Sequence, residues 1–125
     1  MNSILLVEND PSMALSLTEA LTRSGFFVHC EHEGRRAIAA ARKIKFKAAV
    51  ISIGLPDLRG DEVSDELRSL DRGLPIFICT ATESRAIAQW AKLVHVRVLH
   101  KPVDESELAL ALHSTLPAPQ VASHT

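Results

Sequence analysis

The chain has 125 residues, of which 46% are hydrophobic, and a formal net charge of −1. This length is enough for one domain with a buried core and short for two. The near-neutral charge is not typical of nucleic-acid binding, which needs a concentrated basic face, and no apolar run approaches the roughly 18 residues of a membrane span. No signal-peptide pattern begins the chain, so we expect a cytoplasmic protein that binds neither nucleic acid nor membrane.

Short apolar runs alternate with longer segments of helical periodicity, which is the pattern of a parallel sheet covered by helices. The predicted strands lie within 4–7, 26–31, 48–52, 74–79 and 96–99. The five predicted helices have apolar stripes at Ala14, Leu17 and Leu21; at Ala37, Ile38, Ala41 and Ile44; at Val63, Leu67 and Leu70; at Ile87, Trp90 and Val94; and at Leu108, Ala111, Leu112 and Leu116. Asp10-Pro11 is a helix start and Gly25 a helix stop. The run from Arg35 to Lys47 is locally basic, which is typical of a solvated helix face.

The composition of the strands indicates their order in the sheet. Runs one, three and four are almost wholly apolar, as strands buried on both faces should be, whereas run two contains His29 and Glu31 and run five contains Arg97. Runs two and five are therefore the predicted edges of a doubly wound, flavodoxin-like α/β sheet of order 2-1-3-4-5. This order separates Cys30 and Cys79 by two strands, roughly 14 Å at about 4.8 Å per step, which excludes a disulfide.

The end of strand three carries the residue on which the functional interpretation depends. Ser52 follows a buried apolar run and precedes the turn 53–57, so its hydroxyl is expected at the carboxyl end of a central strand. Open α/β sheets bind their ligands at this edge, near the point where the strand order reverses. The domain is expected over residues 1–118, with a flexible tail over 119–125, because Pro117 and Pro119 end the last helix.

Several stretches match the receiver domain of two-component response regulators in both order and spacing, and the chain resembles that family from Ile4 to about Leu116. The matching stretches are Leu6-Val7-Glu8-Asn9-Asp10-Pro11, Ile53-Gly54-Leu55-Pro56-Asp57-Leu58-Arg59-Gly60, Thr80-Ala81 and Lys101-Pro102. The resemblance implies a Mg²⁺-dependent transfer of a phosphoryl group from a histidine kinase to an aspartate on strand three. It also implies a protein partner, such as a histidine kinase, a phosphotransfer protein or another regulator.

The resemblance places Ser52 at the position of the phosphoacceptor aspartate. A carboxylate is ionised at pH 7 and attacks directly, whereas a serine hydroxyl needs a base, so formation of an acyl phosphate at this position is excluded. The acidic pocket of the family corresponds to Glu8, Asn9 and Asp10, with Asn9 at the usual position of a direct metal ligand and Asp10 at the rim. The lysine of the family corresponds to Lys101.

We predict no cofactor and weak or absent Mg²⁺ binding, because one carboxylate remains where three are typical, and Glu8 with Lys101 is already neutral. If a metal binds, Glu8 and the Gly54 carbonyl are its expected ligands. Thr80 matches the hydroxyl of the family's switch, but the aromatic residue of strand five corresponds to Val98. We therefore expect a pocket closed by Lys101 and a protein that occupies one conformational state.

The leading hypothesis is a phosphorylation-independent signalling protein that is not an enzyme and that acts by binding a protein partner or a second copy of itself. In the family, the surface of helix four, strand five and helix five commonly mediates such contacts. In this chain that surface carries Trp90, Arg97, Leu110 and His113. Val94–His95 corresponds to the glycine-alanine pair that usually precedes strand five, and this change removes backbone freedom there.

Two alternatives stay open at the level of the sequence. The first is a phosphorelay receiver that uses a non-standard acceptor, either Asp57, Asp10, or Ser52 itself as the target of a serine kinase. The second is a flavin protein with the same strand order. The acidic turn Glu8 to Pro11 disfavours the flavin protein, because phosphate groups are bound by turns rich in glycine, serine or threonine amides.

Overall fold

The computed structural model describes residues 2–116. Its strands are β1 (Ser3–Val7), β2 (Phe27–Glu31), β3 (Ala48–Ser52), β4 (Ile76–Thr80) and β5 (Arg97–His100). Its helices are α1 (Pro11–Arg23), α2 (Gly34–Lys43), α3 (Gly60–Leu70), α4 (Arg85–Leu93) and α5 (Glu105–Thr115). The predicted tail 119–125 and the end of the predicted domain, 117–118, lie outside the described residues. Within 2–116, no helix is both long and apolar enough to cross a membrane.

The five strands are parallel and lie in the order β2-β1-β3-β4-β5, which confirms the predicted topology. Every residue of β3 and β4 is buried, whereas the edge strands β2 and β5 are only partly so. This difference explains why the polar residues of the second and fifth runs identified the edges correctly. Cys30 on β2 and Cys79 on β4 are free thiols, and two strands lie between them.

Each face of the sheet carries its own core layer, because successive side chains of a strand point to opposite faces. From β1, Ile4 and Leu6 pack in the layer formed with α1 and α5. Leu5 and Val7 pack in the layer formed with α2, α3 and α4. Helices therefore cover both faces, and the ligand-binding edge of the sheet at the carboxyl ends of the strands is left to the loops.

Some predicted boundaries differ from the observed elements. β4 begins at Ile76 rather than at residue 74, and β5 extends to His100. The sequence pattern includes Ile44 and Leu70 in the apolar stripes of the second and third helices, but neither side chain is buried. Ile44 follows the last residue of α2, Leu70 is the last residue of α3, and both are exposed. A helical repeat indicates which face is apolar but not where the helix stops.

The turn before β5 contains a residue in an unfavourable backbone conformation. His95 has a φ of 58°, in the left-handed region that side chains with a Cβ rarely adopt. The guanidinium of Arg68, on α3, donates to the His95 carbonyl at 3.0 Å and to the Val94 carbonyl at 2.5 Å. A third bond from Arg68 reaches the Leu74 carbonyl at 2.7 Å. Arg68 thus ties the chain segments that lead into β4 and β5.

Candidate functional site

Four residues meet at the carboxyl edge of the sheet, each at the end of a different strand. Glu8 directly follows β1, Ser52 ends β3, Thr80 ends β4, and Lys101 directly follows β5. Glu8, Ser52 and Thr80 are buried, although all three side chains are polar. The backbone N–H of Lys101 donates to the Thr80 carbonyl at 2.8 Å and continues the pairing of the two strands. The parallel register thus brings the predicted pocket residues together.

The Lys101 ammonium connects this cluster. Its Nζ donates to Glu8 Oε1 and to Ser52 Oγ, each at 2.9 Å. The Glu8 side chain is only 2% exposed and that of Lys101 is 22% exposed, so water screens the pair weakly. A buried carboxylate is tolerated only when it is paired and hydrogen-bonded. Glu8 and Lys101 therefore neutralise each other, and the Ser52 hydroxyl accepts a charge-assisted hydrogen bond.

The second carboxylate oxygen of Glu8 is also bonded to protein donors. Glu8 Oε2 accepts from the backbone N–H of Asp10 at 3.0 Å. The Asn9 amide, oriented so that its nitrogen faces the acceptors beside it, donates to Glu8 Oε2 at 3.2 Å and to the Gly54 carbonyl at 3.1 Å. The Glu8 carboxylate and the Gly54 carbonyl, which are the two expected metal ligands, thus both receive bonds from neighbouring residues.

The two other carboxylates considered as phosphoacceptors cap helices. Asp10 Oδ1 accepts from two backbone N–H groups in the first turn of α1, at 3.0 and 3.4 Å. Asp57 lies in the loop after β3 and accepts from the N–H groups of Arg35 and Gly34 at the start of α2, at 2.9 and 2.8 Å. These backbone hydrogen bonds, that from Arg35 foremost, hold the pKa of Asp57 below its ordinary value. Its hydrogen bonds therefore tie Asp57 to α2.

Gly60, a residue of the motif after β3 whose role the sequence does not indicate, shapes the backbone under Ser52. The loop after β3 folds back, so that Gly54 and Arg59 form an antiparallel bridge and the Gly60 N–H donates to the Ile53 carbonyl at 2.9 Å. A Cβ atom on residue 60 would lie 2.3 Å from the Ser52 carbonyl oxygen. Only glycine permits this approach. A glycine at the start of a helix was the available signal in the sequence.

The two predicted switch positions lie beside a surface cavity between α4 and β5. Thr80 Oγ1 donates to the Thr82 carbonyl at 3.0 Å and accepts from the Thr82 N–H at 3.2 Å, so this hydroxyl is bonded within its own loop. Val98 on β5 is half-buried. Both residues line the cavity, which has a volume of about 510 Å³. The small Val98 side chain lies where the resemblance leads one to expect an aromatic ring.

The sequence and the fold both match one known family. The family model of the response regulator receiver domain matches residues 4–113. The chain belongs to this family.

The relatives of this receiver domain include longer regulators. It is 32% identical over 116 residues to the transcriptional regulatory protein TctD of Salmonella typhimurium, covering 90% of this chain and 51% of TctD. It is 37% identical over 78 residues to the transcriptional regulatory protein TcrA of Mycobacterium tuberculosis, covering 62% of this chain and 31% of TcrA. This domain thus spans about one third to one half of the length of such relatives.

Solved structures give the same result for the fold. This receiver domain superimposes on the chemotaxis protein CheY4 of Vibrio cholerae with a TM-score of 0.86 and 26% sequence identity. The match covers 93% of this chain and 99% of the CheY4 chain. A receiver domain protein from Methanospirillum hungatei, at 22% identity, superimposes with a TM-score of 0.85. The flavodoxin-like fold and the family are therefore established together.

Of the four residues predicted for the partner surface of this receiver domain, Arg97 lies on the edge strand β5, Trp90 on α4, and Leu110 and His113 on α5. Trp90 on α4 is half-buried and packs against the core layer of α2, α3 and α4. Arg97 is exposed, with its guanidinium 5.3 Å from the Phe77 ring centroid. Leu110 on α5 is 67% exposed, and Leu93, which was not predicted, is 80% exposed at the end of α4. The signal for Leu93 in the sequence is its position outside the apolar stripe of α4, which predicts an exposed side chain.

Two histidines have structural roles that the sequence did not indicate. His113 is directed from α5 toward the end of α1, where its ring lies 4.6 Å from that of Phe26 and its Nε2 donates to the Ser24 carbonyl at 3.2 Å. His32 donates from Nδ1 to the Glu8 carbonyl at 2.9 Å, so it supports the backbone of the pocket. Both contacts join residues far apart in the chain, and no local pattern predicts such pairs.

Proposed function

We propose that this receiver domain works in two-component signalling without accepting a phosphoryl group, and that it acts by binding another protein. The proposal is based on the contact of Lys101 Nζ with Ser52 Oγ, at 2.9 Å. The positive charge of Lys101 is already neutralised by the Glu8 carboxylate. Ser52 ends β3, where the family places its acceptor aspartate. A serine hydroxyl must lose its proton to become a nucleophile, and an ammonium neighbour donates a proton instead of removing one.

The same contacts disfavour Mg²⁺, the ion on which phosphotransfer in the family depends. Mg²⁺ requires a nearly octahedral set of hard oxygen ligands, usually with carboxylates among them. In this pocket Glu8 is ion-paired with Lys101, and the amide of Asn9 is bonded to the Gly54 carbonyl. The donor set therefore does not fit the ion. Isothermal titration should show weak or absent Mg²⁺ binding; stoichiometric binding that Glu8→Gln abolishes would contradict this.

An alternative acceptor is less well supported than the absence of phosphotransfer. Ser52 is 3% exposed and hydrogen-bonded to Lys101, so a serine kinase could reach it only after the pocket opens. Asp10 and Asp57 are exposed, but each carboxylate is already the cap of a helix. Phosphorylation of either one would turn its carboxylate into a neutral carbonyl and a bridging oxygen that carries the phosphate, so the charged carboxylate that caps α1 or α2 would be replaced by a bulkier group.

Intact-mass spectrometry after incubation with acetyl phosphate and Mg²⁺ tests the proposal. We expect no gain of a phosphoryl group by the native protein. The matched control is the double variant Ser52→Asp with Asn9→Asp, which restores carboxylates at both positions and should gain a phosphoryl group that hydroxylamine removes. Phosphorylation of the native protein, either labile at an aspartate or stable at a serine, would show that the domain still accepts phosphate.

For the partner surface we propose the exposed side of α4, β5 and α5. Its support is the exposure of Leu93 at the end of α4 and of Leu110 on α5, 80% and 67%, together with the exposed Arg97 on the edge strand β5. Exposed apolar residues with an arginine are typical of protein-binding surfaces. The partner is a histidine kinase, a phosphotransfer protein, another regulator or a second copy of the domain.

Cross-linking of the native domain and of surface variants tests this assignment. Arg97→Glu combined with Leu110→Ser should remove the cross-linked partner, while Leu15→Ser, an equally exposed position on α1, should retain it. If every partner, including a second copy measured by sedimentation, persists after the whole surface has been changed, the surface is assigned wrongly.

A further inference from the structure

A cleft at the amino edge of the sheet, opposite the edge that carries Ser52, has features that the proposed function does not use. It lies where α2 and α3 both end, and its volume is about 340 Å³. Phe46, Leu67 and Leu74 line it with buried apolar side chains. Ile44 and Leu70 also line it, but they are 40% and 48% exposed. The volume is at the lower end of the roughly 300–1,000 Å³ of small ligand sites.

The wall of the cleft on the α2 side is strongly basic. Residues 34–47 contain six of the 14 lysines and arginines of the chain, and all 15 aspartates and glutamates lie elsewhere. Arg42, Lys43 and Lys45 line the cleft, and within residues 2–116 none of these three side chains forms an ion pair. The helix dipole favours cations in the last turn of α2, but it does not account for Lys45 beyond the helix or for two exposed apolar neighbours.

The opposite wall limits what the cleft can bind. Asp71 lines it at the end of α3, and Asp65 and Glu66 are exposed on the preceding turns of that helix. A nucleic-acid duplex or an anionic bilayer would bring phosphates close to both walls, and these carboxylates would repel them. A polypeptide can direct its acidic side chains to one wall alone and insert an apolar side chain between the two.

We propose that this cleft binds an acidic peptide segment of a protein partner, with one apolar side chain of leucine size seated between Ile44 and Leu70. The flanking carboxylates of the segment pair with Arg42, Lys43 and Lys45. The attraction accelerates association and weakens with added salt. The cleft is separate from the surface of α4, β5 and α5, so a partner at one surface leaves the other free.

The probe for this proposal is a synthetic peptide with a single central leucine flanked by glutamates. It is titrated into isotope-labelled protein at about 0.15 M salt and followed by NMR. We expect saturable shifts of backbone amides confined to 41–46 and 67–74. Replacing the central leucine of the peptide by serine, or combining Lys43→Glu with Lys45→Glu in the protein, should weaken binding roughly tenfold. Lys92→Glu on α4 is the matched control and should bind like the native protein.

Three results would overturn the proposal. One is equal affinity for the serine peptide, because charge alone would then explain binding. Another is a set of shifts on α4 and β5 instead of the cleft. The third is tighter binding of a DNA duplex or of phosphatidylglycerol vesicles to the same residues. Ile44→Ser provides a second test that does not depend on charge reversal, and it should weaken binding of the leucine peptide while leaving that of the serine peptide unchanged.

Discussion

At the scale of single residues, the central electrostatic feature of this receiver domain is the pairing of the buried Glu8 carboxylate with Lys101. This carboxylate is 2% exposed and accepts bonds from Lys101 and from the backbone of Asp10. A carboxylate that is buried without a counter-charge is strongly destabilising, whereas the same group in a hydrogen-bonded pair is tolerated. Lys101 therefore stabilises the fold at the same atom by which it engages Ser52.

Lys101→Met keeps most of the apolar stem of this side chain and removes its charge. We expect the free energy of unfolding, measured by urea denaturation, to fall by about 2–4 kcal/mol, because Glu8 is left with neutral donors. Lys92→Met at an exposed position on α4 should change it by less than about 0.5 kcal/mol. The double variant with Glu8→Gln should recover part of the loss, and a double variant less stable than Lys101→Met would refute the pairing.

His95 is a second residue whose substitution has a predictable sign. Its φ of 58° lies in the left-handed region, which costs a residue with a Cβ roughly 1–2 kcal/mol. His95→Gly should relieve this strain and stabilise the protein by about 0.5–1 kcal/mol after the greater flexibility of glycine in the unfolded chain is counted. Thermal denaturation measures the gain. His95→Ala keeps the Cβ and should give no gain, so equal stabilisation by both variants would point to the imidazole instead.

At the scale of elements, α2 starts under the control of a residue from another loop. Its own N-cap residue, Glu33, makes no side-chain bond to the helix. Asp57 accepts the N–H bonds of Gly34 and Arg35 instead, across the loop after β3. The motif that contains Asp57 therefore joins the pocket edge of the sheet to the start of α2.

The role of Asp57 predicts a dependence of stability on pH. Because its pKa in the folded protein lies below the ordinary value of 3.8, folding favours the ionised form. Its contribution is fully present above that ordinary value and is lost as the pH falls through the lower folded pKa. Asp57→Asn removes this titration, so acidification below 3.8 should destabilise the native protein more than the variant. Asp65→Asn, on the exposed side of α3, is the control and should keep the pH dependence of the native protein. If the stability of Asp57→Asn falls with acid as steeply as that of the native protein, the assignment is wrong.

At the scale of the whole molecule, the central strands are closed to solvent on both faces. Cys79 on β4 is 2% exposed, and burial raises its pKa to about 12. Cys30 on the edge strand β2 is half-buried, and burial also raises its pKa. The thiolate is the reactive form of cysteine, so both the burial of Cys79 and its raised pKa make its thiol unreactive.

Thiol labelling in a Cys30→Ser variant should therefore report global unfolding. We expect Cys79 to react with a disulfide reagent at mildly alkaline pH only as fast as the whole domain unfolds. The reaction rate should increase in urea in parallel with unfolding. The complementary Cys79→Ser variant, which keeps Cys30 at the edge, should react faster without denaturant. Rapid reaction of Cys79 in the native state would mean that the sheet opens locally.

The sequence by itself determined the strand order and the family, and it predicted which residues form the pocket, because these inferences depend on local properties. Polar residues such as Glu31 and Arg97 in otherwise apolar runs identified the edges of the sheet, and short motifs at strand ends located the pocket. Only the tertiary structure decided that Lys101 contacts Ser52, that Asp57 caps α2, and that Ile44 is exposed beside a basic cleft. These features depend on which distant segments of the chain lie side by side. That is set by the register and packing of the complete sheet, which a periodic pattern does not encode.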